Sequence, residues 1–432
     1  MPFQAKETNR RAYQMQKEFF TKLLGIQGYR VRKMSIEERK GLPALIVELK
    51  QVRHSFECGR CHRRIWNAHS SWMIEVQHLT TWQYLTFLRV RHYRVKCPDC
   101  GLHAEVLPFM APGTRVTGAL AALVTELCKV MTVKAVSLLQ RMHRGTVKTI
   151  DKQALKTLQA ARPLHGISVL GIDEIAVGQG QHYWHMVSAL NGPRGPEMLF
   201  VGEGRKKKHL QKFWKWFGLE RSAQITHAVM DMWKPFYNSF RAYCANVKII
   251  YDKFHVTQHL LIALNTVRKQ ELCKASKRFK GLLAGKKFIL LSRQCHVRGK
   301  ARLALNMLLS ANRRLFKAYL LKESFGHLWS YSSKFWARKF FRQWTEQLKW
   351  SRITPYQKFA QMIKEHWDGI EAYCDKHVSL GFIESANLKA RNAIRMAYGF
   401  RNKDYMKLKI IQSCTPWMRE FHPWAYHHNN SS

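Results

Sequence analysis

The spacing of apolar and polar positions changes character along this chain, and each change predicts a different kind of element. Between Trp82 and Lys96 large residues alternate. Tyr84, Thr86, Leu88, Val90 and His92 fall on one face and Leu85, Phe87, Arg89, Arg91 and Tyr93 on the other. This predicts a strand, although bulk on both faces weakens the alternation. From 116 to 160 the period becomes helical. Leu120, Leu123, Val124 and Leu127 recur at i, i+3, i+4 and i+7, and Val133, Val136 and Leu139, with Leu138 beside them, form a second short stripe. Arg141–Gly145 interrupts, and Thr146–Ala160 resumes with Val147, Ile150, Leu155 and Leu158. Short helix, tight turn and short helix predict a helix-turn-helix. Its last segment would present Arg144, Thr146, Lys148, Thr149 and Lys152 to the major groove. A plain three-helix packing unit with solvated lysines gives the same pattern.

After Arg162-Pro163 the period is that of strands, at Ser168–Asp173, Tyr183–Leu190 and Glu197–Val201. A helix is predicted at about 206–217, a strand at Ile225–Met230, a helix at Pro235–Cys244 and a strand at Val247–Tyr251. Three strands, helix, strand, helix, strand is the order of the ribonuclease-H-like fold, in which the first and fourth strands are neighbours. From about Val256 to Lys376 the chain reads as helical, basic and aromatic, with Phe325, Trp329, Phe335, Trp336, Phe340, Phe341, Trp344 and Trp350 close together. Most of these fit the core of an all-helical insertion, and a few suit stacking on unpaired bases. The last predicted helix opens at Glu384 and carries Asn387, Arg391 and Arg395 at helical spacing. The fold class that results is a multidomain α+β chain. Its predicted parts are an N-terminal segment (1–50), a zinc ribbon (51–110), a helix-turn-helix DNA-binding domain (111–162) and the first part of a ribonuclease-H-like α/β catalytic core (163–256). A helical insertion (257–377) and the final core helix with a C-terminal tail (378–432) complete it.

Charge selects the partner. With 73 Lys and Arg against 28 Asp and Glu, the formal net charge is +45. Basic residues spread along the whole chain suit a long polyanion, whose counterions they release. A membrane surface is the weaker alternative, since no apolar run reaches the roughly 18 residues of a spanning helix. Met1–Arg11 is polar and does not read as a secretory signal, so the ten cysteines are expected to be thiols or metal ligands in a reducing compartment.

Cys58-Gly59-Arg60-Cys61 and Cys97-Pro98-Asp99-Cys100 are two Cys-x-x-Cys knuckles. Four thiolates in this pattern make a closed, structural zinc site with no open position for catalysis. Cys58-x-x-Cys61-His62 also fits the c-type haem attachment pattern, which would require export and leave the second knuckle unexplained. The other six cysteines read as small core residues. Arg60, Arg63, Arg64, Arg89, Arg91 and Arg94 crowd this module, either to touch phosphates or as a solvated face.

Three acids stand apart. Asp173 closes one apolar run, Asp231 closes another, and Glu384 opens the last helix. Two acids on strand ends and one on a helix suit a pair of divalent ions about 3.5–4 Å apart, which clamp the attacking and leaving oxygens of a phosphoryl transfer. Each has a bland alternative: Glu384 as a first-turn acid, Asp231 as a helix cap. Asp173 is harder to explain so, because Glu174 follows it and adds repulsion.

The residues Gly171-Ile172-Asp173-Glu174-Ile175-Ala176, Met230-Asp231-Met232-Trp233-Lys234-Pro235, Asp252-Lys253-Phe254-His255-Val256, Tyr319-Leu320-Leu321-Lys322-Glu323 and Glu384 through Ala397-Tyr398-Gly399-Phe400-Arg401 resemble, in that order, the ISL3 family of bacterial insertion-sequence transposases. The cysteine knuckles look like that family's N-terminal zinc module. The resemblance implies a DDE transposase that binds the terminal inverted repeats of an insertion sequence and catalyses metal-dependent DNA cleavage and strand transfer. Asp173, Asp231 and Glu384 would hold two Mg²⁺, with Mn²⁺ able to substitute, and Cys58, Cys61, Cys97 and Cys100 one structural Zn²⁺. Arg144, Thr146, Lys148, Thr149, Asn387, Arg391 and Arg395 would contact double-stranded DNA, at transposon ends and target. End pairing implies at least a homodimer on DNA, and the expected setting is the bacterial cytoplasm, at the nucleoid. The chain departs from the family at Ser385, where Gly is usual, at Leu380 before Gly381, and at Ser188-Ala189, where an acid is common. Asp252 is a fourth acid and the main rival to one of the three. A catalytically inactive, transposase-derived DNA-binding regulator and a nuclease without strand transfer are the competing functions.

Overall fold

The computed structural model describes residues 14–420 except 40, 54, 179, 181, 376–380, 398, 400 and 401. Met1–Arg11, the tail from His427, Leu380, and Tyr398, Phe400 and Arg401 therefore lie outside the described residues. The chain divides into two units, Met1–Ala161 with Arg419–Ser432, and Arg162–Met418. Among the described residues no helix is long and apolar enough to cross a membrane.

The first unit is built on a sheet of strands β1 (Tyr29–Arg39), β2 (Leu42–Gln51), β5 (Ala68–Thr81), β6 (Tyr84–Cys97) and β7 (Gly101–Ala104), with the small hairpin β3 (Phe56–Glu57) and β4 (Arg64–Ile65) apart from it. The order is β1-β2-β6-β5, with β7 also on β6. β2 runs parallel to β6, and β5 and β6 form a long antiparallel hairpin. The weak alternation of β6 resolves cleanly: Thr86, Leu88, Val90 and His92 are the buried face. The sheet crosses the 50/51 boundary drawn from the sequence. Val47 and Leu49 of β2 pack with Leu88 and Val90 of β6 in one core, so the N-terminal strands are part of the cysteine-bearing sheet rather than a separate segment.

Three helices follow, Gly118–Val130, Val133–Leu139 and Arg144–Ala160. Thr117 and Thr132 cap the first two by accepting from the Leu120 and Ala135 amides, which leaves fewer helix-end donors unpaired. Leu120, Val124, Val136, Val147 and Ile150 share a core. The predicted second stripe is corrected: Val136 is buried, but Leu138 and Leu139 are exposed, because a seven-residue helix turns too few times to bury more than one edge. The turn between the last two helices places Arg141 at φ 49°.

The second unit holds a sheet of β8 (Val169–Ala176), β9 (Tyr183–Ala189), β10 (Glu197–Glu203), β11 (His227–Met230) and β12 (Lys248–Tyr251). Its order is β10-β9-β8-β11-β12. β8 and β9 are antiparallel, β9 and β10 are antiparallel, and β8, β11 and β12 are parallel. The first and fourth strands of this unit are thus neighbours, as the strand pattern predicts. Parallel strands are covered on both faces, and β8 is buried along nearly its whole length. The helix Lys207–Phe217 lays Leu210, Phe213, Trp214 and Phe217 on the sheet, and Trp214 Nε1 donates to Ser239 Oγ at 2.9 Å.

The long helical segment begins at Lys253, with Asp252 as its cap accepting from the Phe254 amide at 2.8 Å. The 256/257 boundary drawn from the sequence therefore falls inside the helix Lys253–Lys274. The aromatics divide by environment. Phe325 and Trp344 are buried, whereas Phe335, Trp336 and Trp350 are exposed. At the far end of the segment the helix Trp367–Asp375 returns to β12, where Gly369 lies against the Tyr251 ring. Of the cysteines expected in cores, Cys128, Cys244, Cys374 and Cys414 are buried, but Cys273 and Cys295 are exposed; sequence spacing carries no burial signal for a lone thiol.

The helix Gly381–Met396 rests on β8 through one close approach. A Cβ at Gly171 would stand 2.8 Å from Ile383 Cδ1 and 3.4 Å from Leu190 Cδ2. Gly171→Ala should therefore destabilise the second unit by about 1–3 kcal/mol, the cost of overpacking. A thermal melt checks this. Adding Ile383→Val, which removes the obstructing methyl, should recover part of the loss.

Candidate active site

β8 and β11 are in parallel register with Val229 opposite Gly171. Two residues further along each chain stand Asp231 and Asp173, so adjacency and register bring these two acids to the same level. Both turn back onto their own backbones: the Glu174 amide donates to Asp173 Oδ1 at 2.7 Å and the Met232 amide to Asp231 Oδ1 at 2.6 Å. Asp252, at the end of β12, joins them through its amide, which donates to Met230 O at 3.0 Å.

His255 sits among the three aspartates. Its Nε2 lies 3.7 Å from Asp173 Oδ1 and 4.0 Å from Asp252 Oδ2, and its Nδ1 3.9 Å from Asp231 Oδ2. Burial opposes charge on the ring, but Asp173, Asp231 and Asp252 outweigh it and hold the pKa at about 9. Burial pushes the Asp252 carboxyl up, and the charges of Asp173 and Glu384 push the same way, against the Phe254 amide and His255.

Glu384 is exposed in the first turn of its helix, next to the Ile383 that packs on Gly171. Its field reaches Asp252, yet among the described residues it is outside the 4.0 Å ion-pair reach of His255. One turn on, Asn387 Nδ2 donates to Asp173 Oδ2. The amide of Asn387, a residue the resemblance assigns to DNA, is turned onto the first aspartate here, at the edge of the helix face laid on β8. Arg391 and Arg395 are exposed on the same helix.

A second cluster braces the acids from outside. The Arg205 guanidinium lies 4.4 Å from the centre of the Tyr183 ring and 4.7 Å from that of Trp233. Its Nη1 is 3.0 Å from Glu174 Oε1, and Trp233 Nε1 donates to the Arg205 carbonyl at 3.3 Å. One side chain thus ties the residue after Asp173 to the second residue after Asp231. Sequence reasoning missed both His255 and Arg205. The signal for His255 was its place three residues after an acid at a strand end; Arg205, in a loop after β10, gave none.

In the first unit the two knuckles meet. Cys58, Cys61, Cys97 and Cys100 have sulfurs all within 4.8 Å of one another, and they are the one group of three or more potential ligands drawn so tightly among the described residues. Cys61 Sγ and Cys97 Sγ are 3.5 Å apart. Tetrahedral zinc with Zn–S near 2.3 Å needs sulfurs roughly 3.8 Å apart, so the cluster has the right size. The first knuckle is fixed to the strand after the second by the Gly59 amide, which donates to Ala104 O at 3.0 Å. Of the arginines around it, Arg89 is committed to Glu37 and Glu75, at 2.9 and 2.7 Å, and Arg63 to Asp99 at 2.8 Å. Arg60, Arg64, Arg91 and Arg94 are exposed.

Comparison with known proteins places these features in a lineage. The model of the ISL3 transposase family matches residues 170–410, a span that holds all three acids, His255 and Arg205. A transposase for insertion sequence element IS1001 from Bordetella parapertussis is 27% identical over 400 residues, covering 92% of this chain and 98% of that protein. A transposase for insertion sequence element IS1557 from Mycobacterium tuberculosis (strain CDC 1551 / Oshkosh) is 25% identical over 386 residues, with 80% and 82% covered. With more than half of its length matched by the family model, the chain belongs to the ISL3 family of insertion-sequence transposases.

Proposed function

We propose that this transposase binds the terminal inverted repeats of its element and carries out metal-dependent cleavage and strand transfer in a ribonuclease-H-like core, with Asp173, Asp231 and Glu384 as its metal-holding acids. The observation that carries the reading is the level placement of Asp173 and Asp231 on adjacent parallel strands, with the helix of Glu384 seated on Gly171. The donor set fits hard divalent cations. It consists of carboxylate oxygens: Asp173, Asp231 and Asp252 surround His255 as their cationic neighbour, and the charges of Asp173 and Glu384 both bear on Asp252. Two Mg²⁺ ions, or Mn²⁺ in their place, supply the charge that stabilises the attacking and leaving oxygens of phosphodiester exchange. The chain's own part is placement. Asn387 and His255 face the two oxygens of Asp173 and orient them, and Arg205 keeps Glu174 turned away from Asp173's partners. Arg391 and Arg395, further along the Glu384 helix, are placed to meet DNA phosphates. Four soft thiolates in the first unit suit one structural zinc, and the helix Arg144–Ala160 is the DNA-reading element, through Arg144, Thr146, Lys148 and Thr149. End pairing makes the working form at least a dimer on DNA.

The test uses purified protein, Mg²⁺ and a duplex carrying the element's terminal repeat. Cleavage at the repeat is the expected result, and intact end binding without cleavage would sink the catalytic reading in favour of an inactive regulator. Pre-cut ends supplied with target DNA should give joined product; a nuclease would leave them unjoined.

Arg205 adds a prediction of its own. As an outer partner of the acids it should behave like other groups that orient metal ligands, so Arg205→Ala should weaken divalent-ion affinity or activity about 10–100-fold. Arg205→Lys should not restore it, since an ammonium lacks the plane that stacks between two rings. Mn²⁺ dependence of cleavage, together with Tb³⁺ luminescence sensitised by the nearby tryptophan, reads both effects.

A further inference from the structure

Between the sheet and the start of the helix Arg144–Ala160 in the first unit lies an open cleft of about 700 Å³. Trp72 and His92 line it from the sheet, Arg115 from the connection that leads into the first helix, and His143, Thr146 and Thr149 from the helix side. Neither the zinc site nor the helix by itself accounts for the sheet side.

Trp72 stands on β5, the edge strand of its sheet, and is 38% exposed. Its ring is held in place rather than free. The His92 ring packs against it at 4.8 Å and 51°, and the Arg94 guanidinium covers it at 5.7 Å. His92 is itself fixed, with Nε2 2.9 Å from Glu105 O. A large ring with an N–H donor is therefore presented to the cleft with little freedom left to lose on binding. Arg115 lines the cleft and is exposed, and the exposed Arg94, lying over the Trp72 ring, stands beside that lining, so two cations adjoin the indole. On the opposite wall, Thr146 and Thr149 are two of the residues assigned above to DNA. A wall of this composition suits a polyanion with apolar sugar surfaces, and the net charge of +45 makes nucleic acid the partner it is built to attract.

We infer that this cleft seats the sugar–phosphate backbone of one strand of the duplex whose groove takes the helix Arg144–Ala160, with phosphates on Arg94 and Arg115 and a sugar and phosphate against Trp72. The inference rests on the helix being the DNA-reading element and deepens it: the sheet half fixes affinity and register, and the helix reads bases.

Salt dependence separates the two halves. Full-length protein is titrated with a duplex carrying the element's terminal repeat and with a random-sequence duplex of equal length. Every phosphate that a variant no longer neutralises should lower the slope of log K against log salt by about 0.9, so the Arg94→Ala/Arg115→Ala double variant should show a slope about 1.8 shallower. Between 50 and 200 mM salt its affinity should then fall roughly 12-fold less than that of the wild type. Trp72→Ala should weaken both duplexes equally and leave the slope unchanged. Lys148→Ala is the reference for the helix. If Lys148→Ala weakens binding while the double arginine variant keeps the wild-type slope and affinity, the cleft proposal is overturned and the helix reading stands. If neither set changes binding, both are lost. Unchanged zinc content and circular dichroism confirm that each variant is folded, and because all three cleft substitutions are at exposed side chains this condition should be met.

Discussion

Asp173→Asn should abolish strand cleavage while leaving binding of the element's ends nearly intact. The side chain keeps its size, so the approach of Asn387 and the seat beside His255 survive in shape. What goes is one negative charge at the level where β8 meets β11. Loss of an outer partner of a metal site typically costs 10–100-fold, so if Asp173 holds metal as proposed its removal should exceed about 100-fold. Stability gives the control. Asp231 and Asp252 still face His255 in the variant, so its thermal midpoint should move little. Cleavage near the wild-type rate in a folded Asp173→Asn protein would remove this residue from the site. Asp252→Asn then becomes the decisive comparison, since Asp252 is the fourth acid in the same field.

Cys97→Ser should strip the zinc from the first unit. Structural zinc contributes an apparent 10–16 kcal/mol in isolated zinc-finger peptides, and here the effect should be smaller because the knuckles are anchored to a sheet with a core of its own. The expected outcome is loss of metal by elemental analysis and rapid proteolysis around β3, β4 and β7, where little apolar packing holds the chain. End binding should fall with it. Full zinc content in purified Cys97→Ser protein would contradict a site made of four thiolates.

Much of this was legible in the sequence because the signals were local. Strand periods placed β8, β9 and β10 within a few residues, and the apolar runs ended on Asp173 and Asp231 themselves. Cysteine spacing sufficed for the knuckles. What the sequence hid depends on packing between distant segments. Helical spacing put Asn387 near Glu384, but only the packing of Ile383 on Gly171 brings the Asn387 amide onto Asp173 while Glu384, Arg391 and Arg395 stay exposed. His255 was visible as part of a motif, yet its role among three aspartates follows from the β8-β11-β12 order. Arg205 lies in a loop whose partners, Tyr183, Trp233 and Glu174, come from three other segments. Leu139 failed for a different reason, since a periodic stripe guarantees burial only when something covers it.

The helical segment between Asp252 and Glu384 departs from the end of β12 and comes back to the same strand, where Gly369 meets Tyr251. Its doorway in and its doorway out share one threshold. A cassette mounted this way can change in length or packing with little displacement of the acids at the ends of β8, β11 and β12.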